Sequence, residues 1–220
     1  MDEGMFTAKR VQLIEFMKSK QAVKSREVEA AFLKVKRELF FNQKMLEHAY
    51  QDDAFPIVKG QTISQPSTIA IMLEMLDVKK GMKILEVGSG SGYVVALLSE
   101  LVGEDGFVYG IEMEKELIES SGENLTAQGS LNNELIQGDG SKGLPDKAPF
   151  DRILISAGAP FIPKPLFDQL KEKGIIVAPV GDQWTQVMEK MTKFRGKPVK
   201  NYLSHSYFAF VPLKGDFGWK

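Results

Sequence analysis

The chain has 220 residues, of which 28 are basic and 29 acidic, and its formal net charge of −1 leaves no basic excess for a large nucleic-acid surface. It contains no cysteine, so disulfides, thiolate nucleophiles and cysteine-ligated zinc are excluded, and we assign no residue to a metal. The acidic start Met1-Asp2-Glu3 is unlike a signal peptide, and no apolar run approaches the roughly 20 residues of a membrane span, so we expect a cytoplasmic protein without a membrane partner.

Apolar residues recur at helical spacing from residue 5 to about residue 50, which predicts amino-terminal helices. One stripe consists of Val11, Leu13, Ile14, Phe16 and Met17. A second stripe consists of Val28, Ala31, Phe32, Val35 and Leu39. Ser25 is a candidate N-cap for the second helix. Residues 51–66 have no such period, and helical spacing returns at residues 68–76.

Short apolar runs alternate with helical segments from Lys83 onward, a pattern typical of βαβ units and a mostly parallel sheet. The predicted strands are residues 83–87, 107–111, 134–137, 152–156 and 175–180. Predicted helices follow the first strand at Leu97, Leu98 and Leu101, follow the second at Leu117, Ile118 and Leu125, and precede the fifth at Leu166, Phe167 and Leu170.

The last part of the chain lacks a long helical segment. Residues 186–194 and 202–211 are separated by a turn signal at residues 195–198 and are predicted as an antiparallel strand pair that closes the sheet edge. The predicted fold class is therefore α/β, with a doubly wound Rossmann-like sheet, amino-terminal helices and this strand pair. We expect residues 1–66 to form a helical segment with a substrate loop and residues 67–220 to form the Rossmann-like domain, within one structural unit.

The sequence ILEVGSGSGY, residues 84–93, combines a buried-strand run with Gly88, Gly90 and Gly92 and the start of a helix. An open α/β sheet binds its ligand at this place, and glycine lets the backbone approach that ligand closely. Tyr93 stands where the dinucleotide fingerprint requires a further glycine. The carboxylate of Glu86 would repel a phosphate but suits a ligand with a sulfonium and an ammonium group. The segment resembles the E-x-G-x-G-x-G signature of the S-adenosylmethionine methyltransferases.

Two acids follow the next two predicted strands. Glu112 lies 24 residues after Gly88, where a carboxylate can accept both ribose hydroxyls of the cofactor. Asp139, between two glycines, is placed to accept from the adenine amino group. Each acid alone has an ordinary alternative: Glu112 as a solvated acid in the next helix, and Asp139 as a turn residue. The candidate cofactor site also includes Ser89, Met113 and Gly140.

Residues 60–67, GQTISQPS, lie in the loop before a predicted helix. Thr62 and Ser64 offer hydroxyl groups near the start of that helix, where free backbone N–H groups favour an anion. A substrate carboxylate could therefore sit between the helix start and the Ser64 hydroxyl. On these residues alone the favoured alternative is that Ser64 is a plain N-cap, with Pro66 in the first turn.

Seven motifs together resemble one family, the protein-L-isoaspartate O-methyltransferases, which repair damaged aspartyl and asparaginyl sites in other proteins. The motifs are AYQD (residues 49–52), GQTIS (60–64), LEVGSGSGY (85–93), GDG (138–140), PFDRILISAGAP (149–160), VAPVG (177–181) and FVPLKG (210–215). They occur in the family's order, and the matches extend from about Val35 to Gly215, over four-fifths of the chain. GQTIS together with FVPL is far more specific than the glycine motif.

The resemblance implies that S-adenosyl-L-methionine is the cofactor, S-adenosyl-L-homocysteine the product, and isoaspartyl-containing proteins and peptides the substrates. It implies that Ser64 contacts the isoaspartyl carboxylate. It also implies a peptide groove formed by Thr62, Ile63, Ala157, Gly158, Ala159, Val211 and Pro212. We expect a monomer, because such a groove must stay open to varied proteins.

Three positions depart from the family pattern. Lys36 stands where the family usually has proline, Val58 where it usually has glycine, and Ala209 where an arginine often precedes FVPL. Val58 could stiffen the substrate loop, and the missing arginine removes one anion contact. These departures bear on substrate preference more than on cofactor binding.

An isoaspartyl carboxyl group is ionised at pH 7, so its methylation requires no general base. We accordingly assign no catalytic role to His48 or His205, the only histidines. Three alternatives stay open: a methyltransferase that acts on a small molecule or RNA, a non-catalytic cofactor-binding adaptor, and an NAD-dependent oxidoreductase. Tyr93, in place of a glycine, disfavours the last of these.

Overall fold

The computed structural model describes residues 3–57, 60–202 and 206–219. The amino-terminal part consists of α1 (Glu3–Ser19), α2 (Arg26–Lys34), two 3-10 turns (Arg37–Phe40 and Gln43–His48), the short hairpin β1 (Phe55–Pro56) and β2 (Thr62–Ile63), and α3 (Pro66–Leu76). The remainder consists of β3 (Lys83–Val87), α4 (Tyr93–Val102), β4 (Phe107–Glu112), α5 (Lys115–Gln128), β5 (Asn133–Gln137), β6 (Phe150–Ile155), α6 (Lys164–Asp168), β7 (Leu170–Gly181), β8 (Gln186–Phe194) and β9 (Lys197–Tyr202), with 3-10 turns at Gly140–Lys142 and Pro145–Lys147.

Seven strands of the described chain form one sheet in the order β5-β4-β3-β6-β7-β8-β9. Pairing is parallel from β5 to β7 and antiparallel between β7, β8 and β9. The chain winds outward from β3 through β4 to β5 and then returns to place β6 on the other side of β3. Since the connections diverge between β3 and β6, the switch point of the sheet lies there. The predicted α/β fold class is confirmed.

Successive side chains of the central strands are buried in two different hydrophobic cores, one on each face of the sheet. Both faces of the sheet are therefore covered. In β3, Ile84 belongs to the core shared with α1 to α4, whereas Leu85 belongs to the core on the other face. Neighbouring β6 repeats the alternation with Leu154 and Ile153. The amino-terminal helices therefore pack into the same core as the sheet. No helix in the described ranges combines the length and apolarity that crossing a membrane requires.

The buried face of α1 differs from the predicted stripe. Val11 and Phe16 are 45% and 44% exposed, so their placement on the stripe was wrong. The face that is buried consists of Phe6, Arg10, Leu13, Ile14 and Met17. A charged residue belongs to it because the Arg10 guanidinium is matched by Glu38, 3.1 Å away, a partner that hydrophobic periodicity does not reveal.

Two local predictions on helices have opposite outcomes. Ser25 caps α2, since its hydroxyl accepts from the N–H of Val28 at 3.3 Å. Leu170, predicted on the helix before the fifth strand, is instead the first residue of β7, where it pairs with Phe150. Helix α6 ends at Asp168, because the backbone after it is already used in the pairing with β6.

The antiparallel strand pair at the sheet edge is present, but its second strand was predicted too late in the chain. The turn needs only Arg195 and Gly196, both with positive φ (50° and 71°), as a two-residue hairpin turn requires. Strand β9 therefore starts at Lys197, and Pro198 is tolerated because β9 is an edge strand. Beyond β9, Phe208 forms an isolated antiparallel bridge with Gln186.

Candidate active site

The backbone of the glycine loop between β3 and α4 adopts the conformation that its three glycines predict. Gly88, Gly90 and Gly92 have φ of 82°, 50° and 84°, which L side chains rarely adopt. The N–H groups of Gly88 and Ser89 both donate to the carbonyl of Ile111, at 2.9 and 3.2 Å. The loop is thereby fixed to the end of the neighbouring strand, and α4 begins directly after Gly92.

A cavity opens at the carboxyl ends of β3, β4 and β6, where an α/β sheet binds its ligands. Its wall consists of Gln61, Thr62, Val87, Gly88, Gly90, Ile111, Glu112, Met113, Glu114, Gly140, Ser156, Ala157, Val211, Pro212, Leu213 and Lys214. Nine of the predicted site residues are among them, namely Thr62, Gly88, Gly90, Glu112, Met113, Gly140, Ala157, Val211 and Pro212. The glycine loop, the GQTIS loop and the FVPL segment therefore surround one space.

The β1–β2 hairpin lies against the glycine loop. The N–H of Ile57 donates to the carbonyl of Gln61 at 2.8 Å, which closes the hairpin. A Cβ on Gly90 would lie 3.8 Å from the Cδ1 of Ile57, in ordinary van der Waals contact. The departure at Val58 lies outside the described residues, as does His205.

Ser64 lies just before α3, but the N-cap is Gln65, so the alternative that Ser64 caps the helix is wrong. The helix start is occupied by Asp52, whose Oδ1 accepts from the Ser67 N–H and whose Oδ2 accepts from the Ser67 hydroxyl, both at 2.8 Å. The anion at this helix terminus is thus the protein's own carboxylate, and a substrate anion cannot use those groups.

The Ser64 hydroxyl itself makes no hydrogen bond to other described residues, and the residue is half-buried. Ser64 is not part of the cavity wall, although Thr62 is, two residues earlier on the same hairpin. The predicted contact of Ser64 with a substrate carboxylate stays a prediction. Its hydroxyl is available for that contact.

Glu86 lies within β3 and is 1% exposed. Its Oε1 accepts from the Ser156 hydroxyl at 2.7 Å, while Oε2 has no hydrogen-bond partner among the described residues. Burial raises the pKa of Glu86 to about 8, against the hydrogen bond from Ser156, which lowers it, and the charge of Glu112 raises it further. A buried carboxyl group with one oxygen that makes no hydrogen bond is suited to a cationic ligand.

Glu112 holds the glycine loop in place. Its Oε2 accepts from the Gly90 N–H at 3.0 Å, and its Oε1 accepts from the N–H groups of Met113 and Glu114 at 2.7 and 3.1 Å. The side chain is 8% exposed, so it is not the solvated acid of the alternative reading. A carboxylate has about four acceptor positions and three are used, so one position remains for a ribose hydroxyl, whereas the predicted contact involves two hydroxyls.

Asp139 is committed to contacts within the protein. Its Oδ1 accepts from the Ser141 N–H and hydroxyl at 2.9 and 2.6 Å, and its Oδ2 accepts from the Asp216 N–H at 2.9 Å. Burial acts to raise the pKa of Asp139, but these hydrogen bonds and the charge of Lys142 together hold it below its usual value. Asp139 is absent from the cavity wall, whereas Gly140 is part of it. Its contact with adenine stays a prediction.

Gly158 fixes the FVPL segment to the end of β6. Its N–H donates to the Val211 carbonyl, and its carbonyl accepts from the Leu213 N–H, both at 2.8 Å. The same carbonyl accepts from the indole N–H of Trp219 at 3.0 Å. Six predicted site residues are buried and are not part of the cavity wall, namely Ile63, Glu86, Ser89, Gly92, Gly158 and Ala159.

The cavity wall also contains residues that were not predicted, notably Gln61, Ser156, Leu213 and Lys214. Each lies inside a motif that the sequence already singled out, and Ser156 is the first residue beyond β6. The sequence signal that could have identified them is their position at strand ends and next to residues already assigned to the site. His48 is stacked on Phe55 with ring centroids 5.2 Å apart and is not part of the wall.

The departure at Lys36 has a structural use. Its N–H donates to Oε1 of Gln128 at 2.9 Å, a contact that proline cannot make. Its ammonium group lies 2.7 Å from the carboxylate of Glu3. Lysine at this position therefore connects the segment after α2 to α5 and to the start of α1. Ala209 is exposed.

A family model described as protein-L-isoaspartate(D-aspartate) O-methyltransferase matches residues 8–217. The chain belongs to this family. A protein-L-isoaspartate O-methyltransferase of Pyrococcus horikoshii is 45% identical, over 100% of this chain and 99% of its own length. Protein-L-isoaspartate O-methyltransferase 2 of Archaeoglobus fulgidus is also 45% identical, over 98% of this chain and 97% of its own.

Solved structures in the same family share the fold. One described as a protein-L-isoaspartate O-methyltransferase superposes with a TM-score of 0.85 at 30% identity, over 95% of this chain and 67% of that one. Another, from Plasmodium falciparum in complex with S-adenosyl-L-homocysteine, has a TM-score of 0.82 at 28% identity, over 92% of this chain and 97% of that one. The family resemblance drawn from the motifs is confirmed.

Proposed function

We propose that this protein transfers a methyl group from S-adenosylmethionine to the free carboxylate of L-isoaspartyl residues in damaged proteins and thereby initiates their repair. Membership of the family and 45% identity to a named relative over the whole chain support the proposal. The observation that carries it is the shared cavity, whose wall includes Thr62 of the GQTIS loop together with Gly88 and Gly90. A carboxylate presented by that loop would reach a donor held by the glycines.

The residues around the cavity fit S-adenosylmethionine. Glu86 lies behind Ser156, which is part of the wall, and its oxygen without a hydrogen bond is suited to the ammonium group of the cofactor. Glu112 has one acceptor position left for a ribose hydroxyl. Gly140 lets the chain pass close to β3, since a Cβ there would lie 2.6 Å from the Cγ1 of Val87. When bound, this cofactor supplies a methyl group on a cationic sulfur.

The protein's part in the reaction is to position the substrate carboxylate and to exclude water from the cavity. The isoaspartyl carboxylate is ionised at pH 7, and no side chain needs to remove a proton. We assign the Ser64 hydroxyl to orient that carboxylate. The apolar wall of Val87, Ile111, Val211 and Leu213 keeps water away, which matters because charge is neutralised in the transition state and water stabilises the separated ions more. Holding the reacting atoms in line at about 3 Å provides the remaining acceleration.

The test uses labelled S-adenosylmethionine and two peptides of one sequence, one with isoaspartate and one with aspartate. We expect base-labile label on the isoaspartyl peptide alone. Label on neither peptide, with S-adenosylhomocysteine still bound, would identify a non-catalytic adaptor. Equal label on both, or on RNA added in their place, would identify a methyltransferase with another substrate.

We further propose that the protein is a cytoplasmic monomer that does not bind nucleic acid, and that residues 1–66 supply the substrate loop while residues 67–220 hold the cofactor. The net charge of −1 and the need for an accessible groove support these proposals. Light scattering at working concentration tests the monomer. Any dimer would contradict it, and a dimer whose partner covers the GQTIS loop would also contradict the accessible groove.

A further inference from the structure

Arg37, in the 3-10 turn after α2, is 0% exposed. Its Nε donates to the Ala49 carbonyl and its Nη2 to the Ser64 carbonyl, each at 2.9 Å. The guanidinium lies over the rings of Tyr93 and Phe41, with its carbon 4.7 and 5.3 Å from the ring centroids. Arg37 thus connects the residue proposed to hold the substrate carboxylate with the start of the helix that follows the glycine loop.

This guanidinium has no partner of opposite charge among the residues that the structure describes. Of the buried arginines, Arg10 lies 3.1 Å from Glu38 and Arg152 lies 3.9 Å from Asp77, whereas Arg37 forms no ion pair within the described ranges. Its Nη1 is buried without a hydrogen-bond partner among the same residues. Burying a charge without a counter-ion is costly, and buried charges are therefore normally paired.

The groups around Arg37 do not supply the missing anion. Burial raises the pKa of Tyr93 to about 12 and raises that of Tyr50 as well, so both hydroxyls are neutral at pH 7. The carboxylate of Asp52 acts on Arg37 from a distance but is engaged by Ser67 and Gln65. Burial lowers the pKa of Arg37, yet an arginine starts so high that it stays protonated.

We propose that Arg37 is the counter-charge of the substrate carboxylate, and that it makes the site select an ionised carboxylate over a neutral amide at Ser64. The proposal rests on the proposed function. Standard bond lengths place the Ser64 hydroxyl within about 7 Å of Nη2, so a carboxylate bound there lies within about 10 Å. At an effective dielectric constant near 20, that separation gives roughly a tenfold preference.

The experiment compares an isoaspartyl peptide with its isoasparaginyl counterpart, which carries a carboxamide in place of the free carboxylate. Both dissociation constants are measured by calorimetry on the complex with S-adenosylhomocysteine, whose sulfur is neutral. The cofactor then carries no positive charge on its sulfur that could favour the carboxylate peptide over the amide peptide. The wild type should bind the carboxylate about tenfold more tightly than the amide.

Arg37→Met should reduce this ratio to about two, and Arg37→Lys should retain most of it, because only the second keeps the charge. Both substitutions lose the paired hydrogen bonds to Ala49 and Ser64, so a purely structural role predicts the same ratio for both. The matched control is Arg152→Met, a buried arginine at the far end of β6 that donates to the carbonyls of Leu76 and Asp77. It should lower the melting temperature and leave the ratio unchanged.

Affinity for S-adenosylhomocysteine within twofold of wild type confirms that each variant is folded. If Arg37→Met does not bind it, Arg37→Gln replaces that variant. A wild-type ratio near one, or an equal loss in the lysine and neutral variants, would overturn the assignment of Arg37. Failure of the wild type to methylate the isoaspartyl peptide would overturn the proposed function instead, so the two failures are distinguishable.

Discussion

The cofactor side of the cavity is held mainly by backbone hydrogen bonds between strand ends, together with the Glu112 carboxylate, whereas the GQTIS loop on the proposed substrate side is held by side chains from separate segments. On the cofactor side, the Ser156 N–H donates to the Val87 carbonyl at 2.8 Å and the Gly138 N–H to the Glu112 carbonyl at 2.9 Å. These bonds continue the sheet, so the geometry of this side follows from the fold.

On the substrate side, Arg37 holds the Ser64 carbonyl and Asp52 holds the start of α3. Neither contact belongs to a repeating ladder, and each depends on one side chain. We therefore expect substitutions on the cofactor side to act on donor affinity and those on the substrate side to act on the peptide. This division is open to test.

Glu112→Ala should have the largest effect, because it removes the acceptor for three backbone N–H groups as well as the ribose contact. We expect S-adenosylmethionine affinity by calorimetry to fall about 100-fold, since hydrogen bonds to a charged group are each worth about 1.5–3 kcal/mol. The Michaelis constant for the peptide at saturating cofactor should stay near wild type. Unchanged cofactor affinity would contradict the ribose contact of Glu112. It would also contradict the division of the cavity into a cofactor side and a substrate side.

Ser64→Ala should lower kcat/KM for the isoaspartyl peptide about 30-fold, the loss expected for one hydrogen bond to a carboxylate. Affinity for S-adenosylhomocysteine should stay within twofold. Ser67→Ala is the matched control, since its hydroxyl contacts Asp52. Equal losses in turnover and cofactor affinity for Ser64→Ala would show that the residue acts only through the fold.

The pKa of Glu86, raised to about 8, makes cofactor binding depend on pH. A cation favours the ionised carboxyl, so binding should release a proton and affinity should rise about tenfold from pH 6.5 to 7.5. Calorimetry in two buffers of different ionisation enthalpy counts that proton. In Glu86→Gln the rise should disappear, which leaves only the slight fall expected as the cofactor's own amine loses its proton, and an equally steep rise there would exclude Glu86 as the origin.

Asp52→Asn should have the smallest effect. An asparagine can still cap a helix but loses the charge, so we expect the free energy of unfolding to fall by about 1 kcal/mol or less. Chemical denaturation measures this change. Cofactor affinity should not move, and a shift there larger than threefold would show that the substrate side and the cofactor side are coupled more closely than their contacts indicate.

The sequence patterns predicted the positions of those site residues that lie at the ends of parallel strands. Residues 83–87 form β3 as expected, and Gly88, Gly90 and Glu112 meet in one cavity because parallel strands bring their carboxyl ends together. Such positions follow from chain order and periodicity alone. The Ser25 cap is equally local. The GQTIS loop reaches the same cavity from the separate β1–β2 hairpin, and only the family resemblance indicated its place there.

The remainder depends on partners that are distant in sequence. Asp52 displaces the expected anion at α3 from 15 residues away, and Arg10 belongs to the buried face of α1 only because Glu38 meets it. Asp139 is used by the backbone at residue 216. No periodicity encodes these pairings, since each is decided by tertiary packing.

The β1–β2 hairpin has a kinetic consequence. The Cδ1 of Ile57 lies 3.8 Å from where a Cβ on Gly90 would stand, and Thr62 belongs to the same cavity wall as Gly88 and Gly90. A damaged polypeptide seated on this hairpin would shut the donor inside. Turnover should therefore follow a fixed sequence, in which the donor enters first, the methylated chain departs first, and the spent donor leaves last.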